Sequence, residues 1–296
     1  MAVIKIKRGF TLIELAIALA IIGLLLGGLS VPLSKRLAEQ QYAETQASID
    51  KAMEALVGFA MLNQRLPCPD ISTTATDNRD GLENTADAAG TCITGADTGA
   101  GGFDYTLSSD AAGASWGDLP WKTLGLSPPS NADAWNNRLR YAVVSNFAMP
   151  ASNYAALLPS LRGNIGTASN TLEIYCGTAA RTPAPGCIAS SAYLMSNDVA
   201  FVVYSAGANG WGASSISSLS VKTPFTVAQL TFAPDEAVNA PEKKTGSGAT
   251  AVTSRKQFLT RERTESVSVS GAYDDLLSYM PRAKLAAKLT TAGLYP

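Results

Sequence analysis

The sequence predicts an α+β fold: one long N-terminal helix packed on an antiparallel β-sheet of about four strands, with large loops elaborating the head. Three observations predict it. From Phe10 to Leu33 the only ionisable residue is Glu14, and beyond Pro32 apolar residues recur at helical spacing as far as Ala60. Later segments, residues 138–144 and 199–205 among them, are short, rich in β-branched residues and bounded by Asn, Asp and Gly. Between these elements run stretches of Gly, Ala, Ser and Thr with no periodicity.

The helix divides into two parts. At 1.5 Å rise per residue, the run from Phe10 to Leu33 makes a rod of roughly 36 Å, enough to cross a ~30 Å hydrocarbon core. Lys5, Lys7 and Arg8 precede it with no acid, which holds residues 1–9 in the cytoplasm and places the bulk of the chain on the far side. The run exceeds a secretory h-region, and no small-x-small cleavage site follows it. Gly23, Gly27, Gly28 and Pro32 interrupt its outer end, and a kink is expected at Pro32. Beyond it, Ala38, Tyr42, Ile49, Met53, Leu56 and Ala60 form one helical face suited to lie on a sheet, and Pro67 stops the helix. The organisation is a leader over 1–9, a transmembrane helix over 10–34, an amphipathic continuation over 35–64, and a globular head over 65–296.

Around the start of the helix, Gly9-Phe10-Thr11-Leu12-Ile13-Glu14-Leu15 follows the short basic leader. This motif resembles the class III signal of type IV prepilins and type II secretion pseudopilins. The resemblance implies cleavage by prepilin peptidase between Gly9 and Phe10, N-methylation of Phe10, and packing of the helix into a filament drawn from the inner membrane. Glu14 is then the partner of an incoming subunit's N-terminal ammonium. A carboxylate in the bilayer costs ~2.5–3.5 kcal/mol, which asks for such a reason. The plainer reading is a capping box, with Thr11 as N-cap and Glu14 reaching back from N3.

Composition narrows the chemistry. The chain has 296 residues, a net charge of −1 and no histidine. Ser-His-Asp, Cys-His and His-ligated metal chemistry are therefore excluded, and no Ser-Lys or paired-carboxylate motif stands in for them; the chain is not read as an enzyme. Removing Lys5, Lys7 and Arg8 with the leader takes the charge from −1 to −4, which argues against a head covered by a nucleic-acid surface. The four cysteines, Cys68, Cys92, Cys176 and Cys187, all follow the helix and read as two disulfides with three connectivities open. Sequence neighbours give Cys68–Cys92 and Cys176–Cys187 as the simplest pairing. The second would close a short loop and stabilise by ~3 kcal/mol on the chain-entropy model. Neither pair has the Cys-x-x-Cys spacing of a zinc site.

Along the head, residues 69–115 read as a long loop. Within it Thr76-Asp77-Asn78-Arg79-Asp80-Gly81-Leu82-Glu83 resembles a calcium loop, with Asn78, Asp80 and Glu83 as candidate ligands. Thr76 occupies the first ligand place and no glutamate the twelfth, so a solvated turn is the plainer reading. Asp133-Ala134-Trp135-Asn136-Asn137 leads into strand 138–144 and resembles the Asp-x-Trp-Gly-Asn segment of the major pseudopilin, with Asn136 at the glycine. Strand 199–205 runs into Ser205-Ala206-Gly207-Ala208-Asn209-Gly210, which resembles that family's Ser-x-Gly-Ala-Asp-Gly loop, with Asn209 at the aspartate of its calcium site. Further strands are expected at 172–176, at 265–269, and at a sheet edge over 225–232. Helices are expected at 273–280 and 282–292, separated by Pro281.

The resemblance implies a structural subunit of a type IV pilus or type II secretion pseudopilus, with no cofactor other than calcium to consider. Its partners would be other pilin or pseudopilin subunits, prepilin peptidase, the inner-membrane assembly platform and membrane lipid. It would sit as a single-pass inner-membrane protein with its head in the periplasm, and then in a filament. The bulk of the head suits a minor subunit. Two alternatives stand beside this: an adhesive or DNA-capturing minor pilin using Lys243, Lys244, Arg255, Lys256, Arg261 and Arg263 with Phe258, and a signal-anchored periplasmic enzyme.

Overall fold

The computed structural model describes residues 11–70, 80–85, 92, 95–97, 105–107, 114–128, 130–144, 147–148, 172–176, 194–211, 213, 215–216, 235–239, 257–264 and 272–293, with the backbone alone at 25–33, 95–97, 105–107, 114–116 and 237. Two compact units are present, Met1–Ala43 and Glu44–Pro296. Helix α1 (Leu12–Asn63) begins in the first and ends in the second, and it continues through Pro32. In the first unit the apolar side chains Leu12, Ile13, Leu15, Ile17, Leu19, Ile21, Ile22 and Leu24 are all exposed. Among the described residues no helix is long and apolar enough to cross a membrane. The run 10–34 lies partly outside them, at residue 10 and at the side chains of 25–33.

In the second unit the helix buries Thr45, Ile49, Ala52, Leu56, Val57 and Ala60. Steps of four, three and four make this one face, with Ala52 and Thr45 completing the stripe that Ile49, Leu56 and Ala60 start and Met53 resting at its margin. Burying each large apolar side chain is worth ~1.5–3 kcal/mol, which is what makes this half of the helix part of the head's core. The helix ends because Gln64 turns left-handed at φ 57°, its N–H closing on the Ala60 carbonyl at 2.9 Å.

Among the described residues, strands β1 (Gly95–Asp97) and β2 (Tyr105–Leu107) form a two-stranded antiparallel sheet. Their stretch was expected to be loop throughout, since its Gly, Ala and Thr carry no alternation. The main sheet holds β3 (Ala114–Asp118), β4 (Arg140–Val144), β5 (Leu172–Tyr175), β6 (Leu194–Ser205), β7 (Gln257–Leu259) and β8 (Leu276–Pro281). Its order is β3-β4-β6-β5-β7, with β8 paired to β6. Helix α2 (Glu236–Asn239) precedes β7, and α3 (Arg282–Thr291) follows β8.

The expected α+β layout is present, with two corrections to the sheet. Among the described residues it has six strands and is mixed: β5 and β7 run parallel, Ile174 opposite Phe258. A parallel pair needs a long crossover, and the chain between β5 and β7 supplies one. The second correction concerns 273–280, expected to be helical. Residues 276–281 are β8, antiparallel to β6 with Tyr204 opposite Leu277 and Val202 opposite Tyr279. A short apolar run carries no period that separates helix from strand, and the ladder offered by β6 decides it. Helix α3 forms where expected, burying Leu285 and Leu289. The expected strands at 225–232 and 265–269 lie outside the described residues.

Candidate functional site

The first site is the start of α1. Thr11 N–H and Thr11 Oγ1 both donate to Glu14 Oε2, at 2.9 and 2.8 Å, and Glu14 N–H donates back to Thr11 Oγ1 at 3.3 Å. This is a complete capping box, satisfying two of the donors that a helix start leaves open. Among the described residues only one carboxylate oxygen, Oε2, is used. Gly9 and Phe10, between which cleavage is expected, lie outside the described residues.

The second site is where the turn at 133–137 meets the loop at 205–210. Asp133 Oδ1 accepts the N–H groups of Trp135 and Asn137, at 2.9 and 2.8 Å, and Asp133 Oδ2 accepts from Asn137 Nδ2 at 2.9 Å and Ser205 Oγ at 2.7 Å. Asn137 Nδ2 also reaches the Gly207 carbonyl at 3.2 Å. One buried carboxylate thus ties the turn before β4 to the loop after β6. Asn136 turns left-handed at φ 63°, which an asparagine tolerates where the resembling segment has glycine. Gly207, at φ 62°, is required twice over, because a Cβ there would also strike the Asp274 backbone and carboxylate.

Beyond that loop, Glu236, Asp274 and Asp275 each offer an oxygen within 4.8 Å of the others, a grouping whose donor set can hold a cation. Sequence reading missed it, because the residues come from α2 and from just before β8, and only the adjacent pairs Asp235-Glu236 and Asp274-Asp275 hint at it. Asn209 N–H donates to Asp274 Oδ2 at 2.9 Å, and Asn209 Nδ2 donates to Glu236 Oε2 at 2.9 Å. Asp274 N–H donates to Glu236 Oε1 at 2.8 Å. Asn239 extends the edge of β7 like a strand, exchanging hydrogen bonds with Leu259 while donating to Asp275 Oδ2 at 2.9 Å. Arg261, its side chain enclosed, pairs with Asp235 at 2.8 Å and lies 4.7 Å from the Tyr273 ring centroid. Of the basic run weighed for DNA, Arg261 is therefore engaged inside the head and Phe258 belongs to the core; Lys243, Lys244, Arg255 and Lys256 lie outside the described residues.

In the described part of the calcium-like loop, residues 80–83, the side chains bond within the head. Asp80 Oδ1 accepts the Leu82 N–H at 3.0 Å. Both oxygens of Glu83 meet the Arg65 guanidinium, at 2.7 and 2.6 Å, and one also accepts the Cys68 N–H at 3.0 Å. Asn78 lies outside the described residues. Cys68 and Cys92 are joined in a disulfide, Cα atoms 5.3 Å apart, within the core. Cys176 is also disulfide-bonded, while Cys187 lies outside the described residues.

Buried carboxyl groups give the head a pH signature. Burial pushes Glu236 up to about 8, helped by the Asp274 charge, and burial with the Asp118 charge does the same to Asp70. Burial also raises Asp274 and Asp275. Each binds its proton more tightly folded than unfolded, so this stability is present below the unfolded carboxylate range and is lost as pH rises through about 8. The melting midpoint of the full chain in detergent should fall from about pH 5 to about pH 9, and Asp70→Asn should flatten part of that slope. A midpoint that rises across this window would refute the assignment.

Comparison with known proteins bears on the N-terminus. Residues 4–30 match the family model described as the prokaryotic N-terminal methylation motif, the signature of type IV pilins and pseudopilins. No curated protein and no solved structure matches the chain. A long helix followed by an antiparallel-rich mixed sheet fits a pilin-like layout. The motif supports a type IV pilin- or pseudopilin-like processed subunit, structural in kind. It implies prepilin peptidase and other pilin subunits as partners, and a membrane-anchored stage before assembly.

Proposed function

We propose that the chain is a minor structural subunit of a type IV pilus or type II secretion pseudopilus. Residues 10–34 span the inner membrane, residues 1–9 are removed by prepilin peptidase after Gly9, Phe10 is N-methylated, and the head lies in the periplasm until the assembly platform extrudes the subunit. The observation that carries this is Glu14, the lone ionisable residue of a 24-residue apolar run, with Oε2 held by Thr11 and Oε1 taking no hydrogen bond among the described residues. A carboxylate held by one oxygen presents the other in a fixed direction, which suits capture of the ammonium that cleavage creates on a neighbouring subunit's Phe10. The minor role rests on bulk: residues 65–296 make a head large for a crowded repeating lattice.

Mass spectrometry of the membrane-associated protein tests this directly. The expected N-terminus is N-methyl-Phe10, and sheared filaments should contain the chain far below one copy per major subunit. Recovery of functional protein still carrying residues 1–9 would remove the reading.

A further inference from the structure

Resemblance of the Ser205–Gly210 stretch to the pseudopilin loop implies a calcium ion, and the carboxylates of Glu236, Asp274 and Asp275 lie beside that loop. The local hydrogen bonds do not fit one. Trp211 N–H donates to Asn209 Oδ1 at 2.8 Å, and since a backbone N–H can only donate, this fixes which way the amide faces. Nδ2 is therefore the end turned to Glu236 Oε2, 2.9 Å away. Calcium needs six to eight oxygens at about 2.3–2.6 Å, and here an N–H occupies the place of one of them.

Three other donors do likewise. The N–H groups of Asn209 and Asp274 and the Nδ2 of Asn239 take one oxygen each of Asp274, Glu236 and Asp275. Arg261 and Arg263 add a smaller pull in the same direction, on Asp275 and Asp274, against the burial that raises both. The charged or titratable groups meeting here are Asp235 just before α2 and Glu236 at its start, Arg261 and Arg263 after β7, and Tyr273, Asp274 and Asp275 before β8; the 206–211 loop contributes none. We propose that the Asn209 amide joins these carboxylates in place of a cation, so that this corner of the head closes without calcium. The inference concerns the head alone and stands apart from how the helix is assembled.

The test is thermal melting of the full-length chain in detergent micelles, disulfides intact, with millimolar calcium or with chelator. The wild-type midpoint should be the same in both. Asn209→Asp replaces the inward N–H with an oxygen, leaving four carboxylates to share the corner. Its midpoint should drop in chelator and recover by roughly 5–10 °C at calcium about 100-fold above its dissociation constant. Asn209→Leu should drop and ignore calcium. A wild-type midpoint that rises on calcium or falls on chelation would overturn the proposal, as would a calcium-silent Asn209→Asp. Should Asn209→Asp fail to fold in chelator, calcorimetric titration of the wild type with calcium decides alone: heat of binding at this loop, lost in Asn209→Leu, refutes it.

Discussion

Replacing Arg140 with methionine is expected to destabilise the head by about 3–5 kcal/mol, a fall of roughly 5–20 °C in melting midpoint. Arg140 and Asp118 are both almost wholly buried, with Nη1 and Oδ1 2.5 Å apart. Asp118 lies opposite Asp70 across an isolated antiparallel bridge, and Asp70 is itself fully buried. Removing the guanidinium leaves Asp118 facing a second carboxyl group, with the Nε of Arg138 at 3.7 Å as the nearer remaining cation. Methionine keeps most of the volume, so the loss reports charge rather than a cavity. Asp118→Leu combined with Arg140→Met should recover much of it, because a well-packed apolar pair in place of a buried ion pair is often neutral or better. Equal losses in the single and double variants would show that packing, not the pair, is what Arg140 provides.

How far the sequence could be read depended on whether neighbours in sequence or neighbours in space set each element. Helix α1 was legible because its stripe is local: Ile49, Leu56 and Ala60 announce a face by spacing alone, and all three are buried. Strand β4 was legible because Tyr141-Ala142-Val143-Val144 prefers a pleated surface whatever surrounds it. Leu276-Leu277-Ser278-Tyr279-Met280 has no such preference. It became a strand through β6, which extends to twelve residues, five more than its buried apolar end announced. The site divides the same way. The Thr11–Glu14 box joins residues three apart and was visible as a motif. The tie of Asp133 to Ser205 spans 72 residues, and that of Glu236 to Asp274 spans 38, so their geometry had to await the fold. Even there the residue types mattered. Asn at 136 and 209 marked places where this chain departs from the resembling segments, and each departure has a structural consequence.

Glu14→Leu should leave processing intact and abolish incorporation into filaments. The argument turns on sign. Removing a carboxylate from the membrane run makes insertion easier by ~2.5–3.5 kcal/mol, so a loss of assembly cannot be blamed on failure to reach the bilayer. Gly9 and Phe10 are untouched, so N-methyl-Phe10 should still be found by mass spectrometry. What disappears is a charge-assisted contact in a low-dielectric core, worth about 1.5–3 kcal/mol at each subunit joint, or roughly 10–100-fold in the affinity of one subunit for the next. Glu14→Gln separates the two roles of the side chain. The amide oxygen can still accept the Thr11 N–H and hydroxyl seen at 2.9 and 2.8 Å, so the helix start stays capped, but the charge is gone. Thr11→Val does the reverse, keeping the charge and loosening its direction, and Thr11→Ser should restore it. If the charge joins subunits, filaments in a shearing assay vanish in both Glu14 variants, thin in Thr11→Val and return in Thr11→Ser. Filaments at wild-type level in Glu14→Gln would mean that the capping box is all Glu14 does, and the joint between subunits would have to be sought elsewhere on the helix.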